Sequence, residues 1–187
     1  EIENKSMDII DEVMGDTSFN EEEKIIAKRM IHTTGDFEYR KIIKFQSNFI
    51  EVAKAEIEKG TKIYTDTKMA SAGINKRALE KANCELVRYI DDERVFKMAK
   101  EKETTRSACA IDLAIEEGVE CFVIGNAPTA LYRILEYVKA GKLNPKFIVG
   151  VPVGFVGAAE SKEYLREFDI ASISTEGYKG GSNVAAS

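Results

Sequence analysis

A single histidine, His32, is the residue of this chain best suited to exchange a proton near neutral pH. It lies near the end of a predicted helix over residues 20–34, where the helix dipole favours the charged imidazolium and therefore an acid. Arg29, three residues earlier, shares the same helix face and can bind an anionic substrate. A lone histidine is more often structural or simply exposed, and these residues alone leave that alternative open. One histidine excludes metal sites and relays that need two imidazoles.

A second candidate is the glycine-spaced segment at 145–163, PKFIVGVPVGFVGAAESKE, which includes Gly154 and Ser161. Its glycines lie between a predicted strand and a predicted helix, where the backbone can approach a ligand and a helix N-terminus favours anions. The spacing matches neither the dinucleotide fingerprint nor the Walker phosphate loop. A tight strand–helix turn is the structural alternative. Apolar residues in such a loop favour the first interpretation, because they are unusual unless a large, partly anionic ligand or a partner subunit buries them. The residues are Val151, Val153, Phe155 and Val156.

Two further loops place polar side chains at predicted helix starts, where they either contact a ligand or cap the helix. They are Asn126 and Thr129 in GNAPT at 125–129, and Arg106 and Ser107 in TRS at 105–107. An arginine at a helix N-terminus is mildly disfavoured by the dipole unless an anion compensates. A solvated surface arginine is the alternative for Arg106.

The sequence gives little support for a serine or cysteine nucleophile. No G-x-S-x-G elbow occurs, and Cys121 falls in a predicted buried strand, where it would act as a small apolar residue. The three cysteines, Cys84, Cys109 and Cys121, form no C-x-x-C pair, so neither a zinc ribbon nor a thioredoxin-type site is supported. Free thiols favour a reducing cytoplasm as the location of the protein.

Strands that alternate with helices must position these loops. The pattern predicts an N-terminal helical segment, then a doubly wound, mainly parallel, five-stranded α/β sheet of flavodoxin-like type with helices on both faces. Ligands of such sheets bind beyond the carboxyl ends of the strands. The predicted helices are 20–34, 47–59 capped by Ser47, 75–83, 94–117 in one or two pieces, 128–140 and 157–167, and the predicted strands are 63–65, 86–90, 121–124, 147–151 and 170–174.

Composition narrows the function classes. The 187 residues fit one domain over 1–187, and 44% hydrophobic with 32% charged residues excludes wholesale disorder. The net charge of −5 argues against duplex DNA or an anionic membrane as partner, although a local basic patch remains compatible with it. No signal peptide or membrane span is recognisable. Because the first residue is Glu1, we expect the chain to be trimmed at its N-terminus.

Six segments of the sequence carry a further signal when they are taken together. They are RMIHTTGDFEY at 29–39, DTKM at 66–69, TRSA at 105–108, IGNAPTAL at 124–131, VGVPVGFVGAAESK at 149–162 and GGSN at 180–183. With these segments the sequence resembles the precorrin-8X methylmutase family, including its cobalt-substrate form, of cobalamin biosynthesis. The resemblance covers nearly the whole chain in order and with compatible spacing, and IGNAPTAL and GVPVGFVGAAESK are long and therefore specific.

This resemblance implies a function that the residues alone do not. It implies an isomerase that moves a methyl group from C-11 to C-12 of ring C in a contracted tetrapyrrole, giving hydrogenobyrinate or, with cobalt, cobyrinate. It implies no cofactor and no protein-bound metal, since any cobalt belongs to the substrate. It also implies a homodimer with substrate sites at or near the subunit interface. A tetrapyrrole-binding or carrier module without turnover is the alternative, and a nucleotide-binding flavodoxin-like protein is a weaker one.

By position, His32 matches the family's catalytic histidine, which protonates ring C and takes the proton back. Arg29 matches its substrate-binding arginine and Ser6 its N-terminal substrate-contacting serine. We expect the macrocycle's apolar face and peripheral carboxylates to contact a locally positive cleft in this acidic protein. The remaining expected substrate contacts are Met69, Arg106, Ser107, Asn126, Thr129, Val153, Gly154 and Ser161. After GGSN only four residues remain, where the family continues into a helix.

Overall fold

The computed structural model describes all 187 residues, Glu1–Ser187, and contains one six-stranded sheet. Its strands are β1 (Ile43–Gln46), β2 (Lys62–Thr65), β3 (Glu85–Val87), β4 (Cys121–Ile124), β5 (Phe147–Gly150) and β6 (Ser172–Thr175), in the spatial order β1-β6-β5-β4-β2-β3. Strands β2 to β6 are parallel and β1 is antiparallel to β6. The five parallel strands have the flavodoxin order, with a topological switch point between β2 and β4. The predicted doubly wound α/β class is confirmed.

Eleven helices accompany the sheet: α1 (Ile2–Met14), α2 (Glu21–Thr34), α3 (Tyr39–Ile42), α4 (Phe49–Lys59), α5 (Lys68–Gly73), α6 (Lys76–Lys81), α7 (Glu93–Glu101), α8 (Arg106–Glu116), α9 (Pro128–Lys139), α10 (Ala158–Arg166) and α11 (Ser182–Ala186). None of them has the length and apolar character needed to cross a bilayer.

The two faces of the sheet bury separate cores because side chains alternate along each strand. In β4, Cys121 and Val123 face a core shared with α1, α2, α4 and α11, whereas Phe122 and Ile124 face a core shared with α7 to α10. All four β4 side chains are buried, as expected for a central parallel strand. Helices therefore pack against both faces of the sheet.

The local signals at the ends of α2 act as predicted. Asn20 caps the helix by accepting from the backbone N–H of Glu23, whose side chain bonds back to the Asn20 N–H. Gly35 ends the helix in the left-handed conformation, with φ 68°, and its N–H donates to Ile31. His32 therefore lies in the last turn of a well-defined helix.

Several details differ from the prediction. Strand β3 ends at Val87 rather than at residue 90, and helix α5 lies in a segment that was not predicted to be helical. The sheet has six strands rather than five, because residues 43–46 form an additional edge strand. Four residues are too few for the alternation of apolar and polar side chains to be recognised in the sequence. The last strand begins at Ser172 rather than at residue 170. Ser47 does not cap α4; the N-cap is Asn48, which makes no side-chain cap bond, and the Ser47 hydroxyl bonds Asp169 instead. The chain also forms a short helix, α11, which begins at Ser182 within GGSN and ends at Ala186.

Candidate active site

The predicted site segments meet at the carboxyl edge of the sheet. The loops after β2, β4, β5 and β6 lie there because these strands are parallel. Antiparallel β1 starts at the same edge, since Ile43 is paired with Thr175 at the end of β6. The connection from α2 through α3 into β1 therefore brings the His32 end of α2 to this edge. A cleft of about 480 Å³ at the opposite end of β1, beside Gln46 and Ser47, contains none of the predicted site residues.

His32 is exposed, and its imidazole makes no hydrogen bond or ion pair within the chain. Both ring nitrogens are therefore available to a ligand. Arg29, also exposed, donates from Nη1 to Glu3 Oε1 of α1 at 2.9 Å. Since this pair is exposed, it is weak, and a substrate carboxylate can replace Glu3 at little cost.

Ser6 is brought to the His32 end of α2 by the antiparallel packing of α1 on α2. The Arg29–Glu3 pair joins the late part of α2 to the first turn of α1, and Lys24 lies 3.4 Å from Asp11 further along. The Ser6 hydroxyl donates to the Ile2 carbonyl at 3.0 Å within α1. Its oxygen therefore keeps acceptor capacity toward a ligand.

Asp66 is a residue of this edge that the sequence reasoning missed. It directly follows β2, is buried, and its carboxylate accepts the backbone N–H groups of Gly125 at 2.9 Å and of Asn126 and Ala127 at 2.8 Å each. These N–H groups are at the start of α9, where phosphate ligands of such folds commonly bind. The anion site at the switch point is therefore filled by the chain's own carboxylate. The signal available in the sequence was an aspartate immediately after a strand at a switch point.

Helix α11 closes the same crevice. The Ser182 hydroxyl is 2.7 Å from the Thr67 hydroxyl, next to Asp66. Gly125 is required at its position, because a Cβ there would lie 2.7 Å from Ser182 Cα. A nucleotide phosphate has no room at the switch point, and this counts against the flavodoxin-like nucleotide-binding alternative.

The loop after β5, residues 151–157, and the loop after β6, residues 176–181, are bonded to each other. The Gly154 N–H donates to the Tyr178 carbonyl at 3.0 Å, and the Gly181 N–H donates to the Val151 carbonyl at 2.9 Å. The rings of Phe155 and Tyr178 are in contact, with centroids 5.3 Å apart. The two loops thus form one unit, named here the paired loops.

The paired loops expose a large apolar surface. Phe155 is 84% and Val156 90% exposed, while Val153 is 42% exposed. These three side chains are exposed in the single chain, and the expectation that a ligand or a partner subunit covers them stays a prediction. It is wrong for Val151, which is completely buried in the core.

The prediction that Ser161 contacts the substrate is wrong. It lies inside α10, is completely buried, and its hydroxyl donates to the Ala158 carbonyl at 2.9 Å. The start of α10 turns Ser161 toward the core, so this side chain does not reach the surface of the paired loops.

The remaining predicted residues lie at the starts of helices on this edge. Met69 is 69% exposed on α5 and Asn126 is exposed before α9. Arg106, at the start of α8, forms no salt bridge and lies 4.7 Å from the centre of the Phe96 ring. Its neighbour Ser107 is half-buried. Thr129 is exposed on α9 and lines a cleft of about 570 Å³ together with Thr105 and Lys102.

The segment after His32 is fixed by a lysine from the paired loops. The Lys179 ammonium donates to the carboxylates of Asp36 and Glu38, one and three residues after Gly35. The bond from Lys179, together with the Glu38 N–H, holds the pKa of Asp36 below its usual range, and the same two carboxylates raise the pKa of Lys179. The paired loops and the end of α2 are therefore joined by charge-assisted hydrogen bonds.

The two buried cysteines, Cys109 and Cys121, are poor nucleophiles here. Cys121 is completely buried, and burial raises the pKa of its thiol to about 11. Burial also raises the pKa of the Cys109 thiol. A buried thiol with a raised pKa holds almost no thiolate near neutral pH, so a mechanism that uses Cys121 or Cys109 is disfavoured.

Comparison with known proteins gives one consistent result. The family model described as precorrin-8X methylmutase matches residues 1–187. A cobalt-precorrin-8 methylmutase from Salmonella typhimurium is 46% identical over 182 residues, covering 96% of this chain and 85% of the relative. One from Methanocaldococcus jannaschii is 44% identical over 193 residues, covering 98% and 88%. The crystal structure of precorrin-8X methyl mutase from Thermus thermophilus superposes with a TM-score of 0.91 at 35% identity, covering 99% of this chain and 90% of that one.

Proposed function

The chain belongs to the precorrin-8X methylmutase family, and on that premise we propose that it isomerises precorrin-8 or cobalt-precorrin-8. The enzyme class is isomerase, as in its methylmutase relatives. The proposed reaction moves a methyl group from C-11 to C-12 of ring C and gives hydrogenobyrinate or cobyrinate. The observation that carries this proposal is an exposed, unbonded His32 at the edge of the sheet that also presents the exposed apolar side chains of the paired loops.

His32 is the proposed general acid. Its imidazolium donates a proton to ring C, which leaves the conjugated system electron-poor. The methyl group then migrates with its bonding pair from C-11 to C-12 on one face of the ring, and the imidazole recovers the proton. Atoms and electrons balance without an oxidant, a reductant or a second substrate. General acid catalysis of this kind typically contributes about 10²–10⁴-fold to the rate.

Binding is proposed to use two kinds of contact. The macrocycle's apolar face lies against the exposed side chains of Phe155, Val153 and Met69. Its peripheral carboxylates bind Arg29, which is held only by an exposed carboxylate, and Arg106, which has no carboxylate partner. Ser6, Ser107, Asn126 and Thr129 supply further polar contacts. These groups would make the cleft locally positive although the chain carries −5 overall.

The test is a single-turnover optical assay with metal-free and cobalt-containing precorrin-8 under anaerobic conditions. We expect His32→Ala to convert substrate about 10²–10⁴-fold more slowly than the unmodified protein while still binding the coloured product. Thr33→Ala, a change at the exposed neighbouring position, is the matched control and should retain the full rate. Conversion by His32→Ala at the unmodified rate contradicts the catalytic assignment.

The same assay separates the enzyme from the alternative of a carrier module. A carrier would bind precorrin-8 and the product but would form no product in a single turnover. It would also bind the tetrapyrrole equally well after His32→Ala. Product formation by the unmodified protein therefore excludes the carrier alternative.

A homodimer remains a proposal. It is supported by apolar side chains that are exposed in the single chain, Phe155 and Val156 on the paired loops and Ile9 and Val13 on α1. A second copy that covers such side chains gains the free energy of their burial. Sedimentation equilibrium should give twice the chain mass of 20.8 kDa, and a single-chain mass at micromolar concentration would contradict the proposal.

We also propose that turnover needs no added cofactor and takes place in the cytoplasm. Proton donation and return at His32 supply all the chemistry that the isomerisation requires. The three cysteines are free thiols, in agreement with a reducing compartment. Undiminished conversion of metal-free precorrin-8 after exhaustive dialysis against a chelator is the expected result.

A further inference from the structure

Lys162 is a buried lysine without a counter-charge. It lies on α10, is completely buried, and forms no salt bridge. Its ammonium donates to the Thr175 hydroxyl at 3.1 Å and to the backbone carbonyl of Lys179 at 2.8 Å. The only charged side chain that acts on it strongly is Arg166 on the same helix, which has the same sign.

Such a group is costly for the fold. Burial, assisted by the Arg166 charge, lowers the pKa of Lys162 to about 8. A methionine would fill the same space without the cost of removing an ammonium from water. The ammonium must therefore contribute something that an apolar side chain does not, and its two hydrogen bonds are the available contribution.

Those hydrogen bonds converge on one backbone carbonyl. The Thr175 hydroxyl also donates to the Lys179 carbonyl, at 2.7 Å. The next residue, Gly180, is so tight against Val151 that a Cβ would lie 2.2 Å from the Val151 carbonyl oxygen. Lys162 thus holds the 176–181 loop at the point where it meets the 151–157 loop.

The side chain of Lys179 connects this loop to the end of α2, where His32, the proposed acid, lies. Its ammonium binds Asp36 and Glu38, which lie two and four residues after Thr34, the last residue of α2. The backbone of Lys179 is thus held from the α10 side, and its side chain holds the end of α2. Helices α10 and α2 pack on opposite faces of the sheet.

We propose that Lys162 is a positioning residue for this enzyme: through Lys179 it sets the position of the His32 end of α2 relative to the apolar surface of the paired loops. The inference rests on the proposed function, because it assigns the paired loops to the macrocycle and His32 to proton transfer. Its consequence is that loss of the ammonium reduces turnover more than it reduces substrate affinity or stability. A displacement of about 1 Å in an acid can cost up to about 10²-fold in rate.

The first experiment compares Lys162→Met with the unmodified protein. We expect kcat to fall about 10- to 100-fold, KM to change less than about threefold, and the midpoint of urea unfolding to stay or rise. Glu163→Gln, an exposed change one residue further on α10, is the control and should alter none of these. An unchanged kcat in folded Lys162→Met overturns the proposal.

The second experiment does not depend on the reaction. In Lys162→Met, hydrogen exchange measured by mass spectrometry should become faster in peptides covering 33–38, 151–157 and 176–181, with β4 and β5 unchanged. If Lys162→Met does not fold, Thr175→Val removes the shared hydroxyl and should accelerate exchange in the same peptides. Unchanged exchange in all three peptides overturns the inference, whereas an unmodified protein that fails to convert precorrin-8 overturns only the proposed function.

Discussion

The carboxylate of Asp66 accepts a hydrogen bond of 2.8 Å from the backbone N–H of Asn126, across 60 residues of sequence. The same carboxylate also binds the N–H groups of Gly125 and Ala127, so it occupies the whole anion-binding position at the start of α9. In folds of this topology that position is commonly used for a ligand phosphate. Here it is used to fix the GNAPT loop, and with it the exposed Asn126.

Asp66→Asn should therefore destabilise the fold although it changes almost no volume. An amide has one acceptor oxygen and no charge, so at least one of three N–H groups loses its partner. We expect a loss of about 2–4 kcal/mol in the free energy of unfolding, measured by urea titration. Asp91→Asn, which removes an exposed carboxylate paired with Arg88, should cost less than about 1 kcal/mol. Equal effects of the two changes would refute a special role for Asp66.

Asp66→Ala should also convert the filled position into a binding site for a small anion. With the carboxylate removed, formate, which matches it in size and charge, can accept the three N–H groups. We expect added sodium formate to raise the melting temperature of Asp66→Ala more than that of the unmodified protein. Sodium chloride at equal ionic strength is the control, and an identical response of both proteins to both salts would contradict this prediction.

Arg106→Gln should weaken binding of the polyanionic product. Arg106 has no carboxylate partner in the chain, so its guanidinium is free to bind one from a ligand. We expect Kd to rise about 10-fold at low salt, with a smaller difference at high salt, in an optical titration. Arg94→Gln is the control, because Arg94 pairs with Glu117 at the far end of α8. An unchanged Kd for Arg106→Gln would exclude this arginine from the binding surface.

Gly125→Ala should destabilise the protein through its contact with α11. The added Cβ would lie 2.7 Å from Ser182 Cα and 3.1 Å from the Ala185 Cβ, so the helix has to move. We expect a loss of about 1–3 kcal/mol in the free energy of unfolding. In a chain that ends at Gly181 the same substitution should cost almost nothing, since the clashing atoms are gone. A cost that is equal in both chains would show that the close approach to α11 is not its cause.

Lys162 should make stability depend on pH in the alkaline range. Its pKa is about 8 in the folded chain against an ordinary value of 10.5, so the unfolded chain binds more protons between these two values. Stability should therefore rise from about pH 8 to about pH 10.5, by up to about 3 kcal/mol from this residue. Comparison with Lys162→Met in urea titrations isolates the effect, since other titrating groups are shared. Parallel pH profiles for the two proteins would contradict it.

The helix ends that carry several candidate-site residues could be predicted because their signals are local. The Asn20 cap and Gly35 define the ends of α2 and so place His32 in its last turn, whatever packs around it. Pro128 likewise marks the start of α9 next to Asn126. The motifs on these elements were also sufficient to identify the family, which the family model and the relatives confirm.

Other features could be seen only in the tertiary structure, because they depend on contacts between residues that are distant in sequence. The side that α10 turns to the core determines that Ser161 is buried. The pairing of residues 43–46 with β6 makes an edge strand from a segment too short to be recognised. The roles of Asp66 and Lys162 arise because parallel strands bring their carboxyl ends together, so that a carboxylate meets N–H groups 59 to 61 residues away and an ammonium meets the carbonyl of Lys179. Local sequence determines where helices begin and end, whereas the partners of buried polar groups are determined by the order of strands in the sheet.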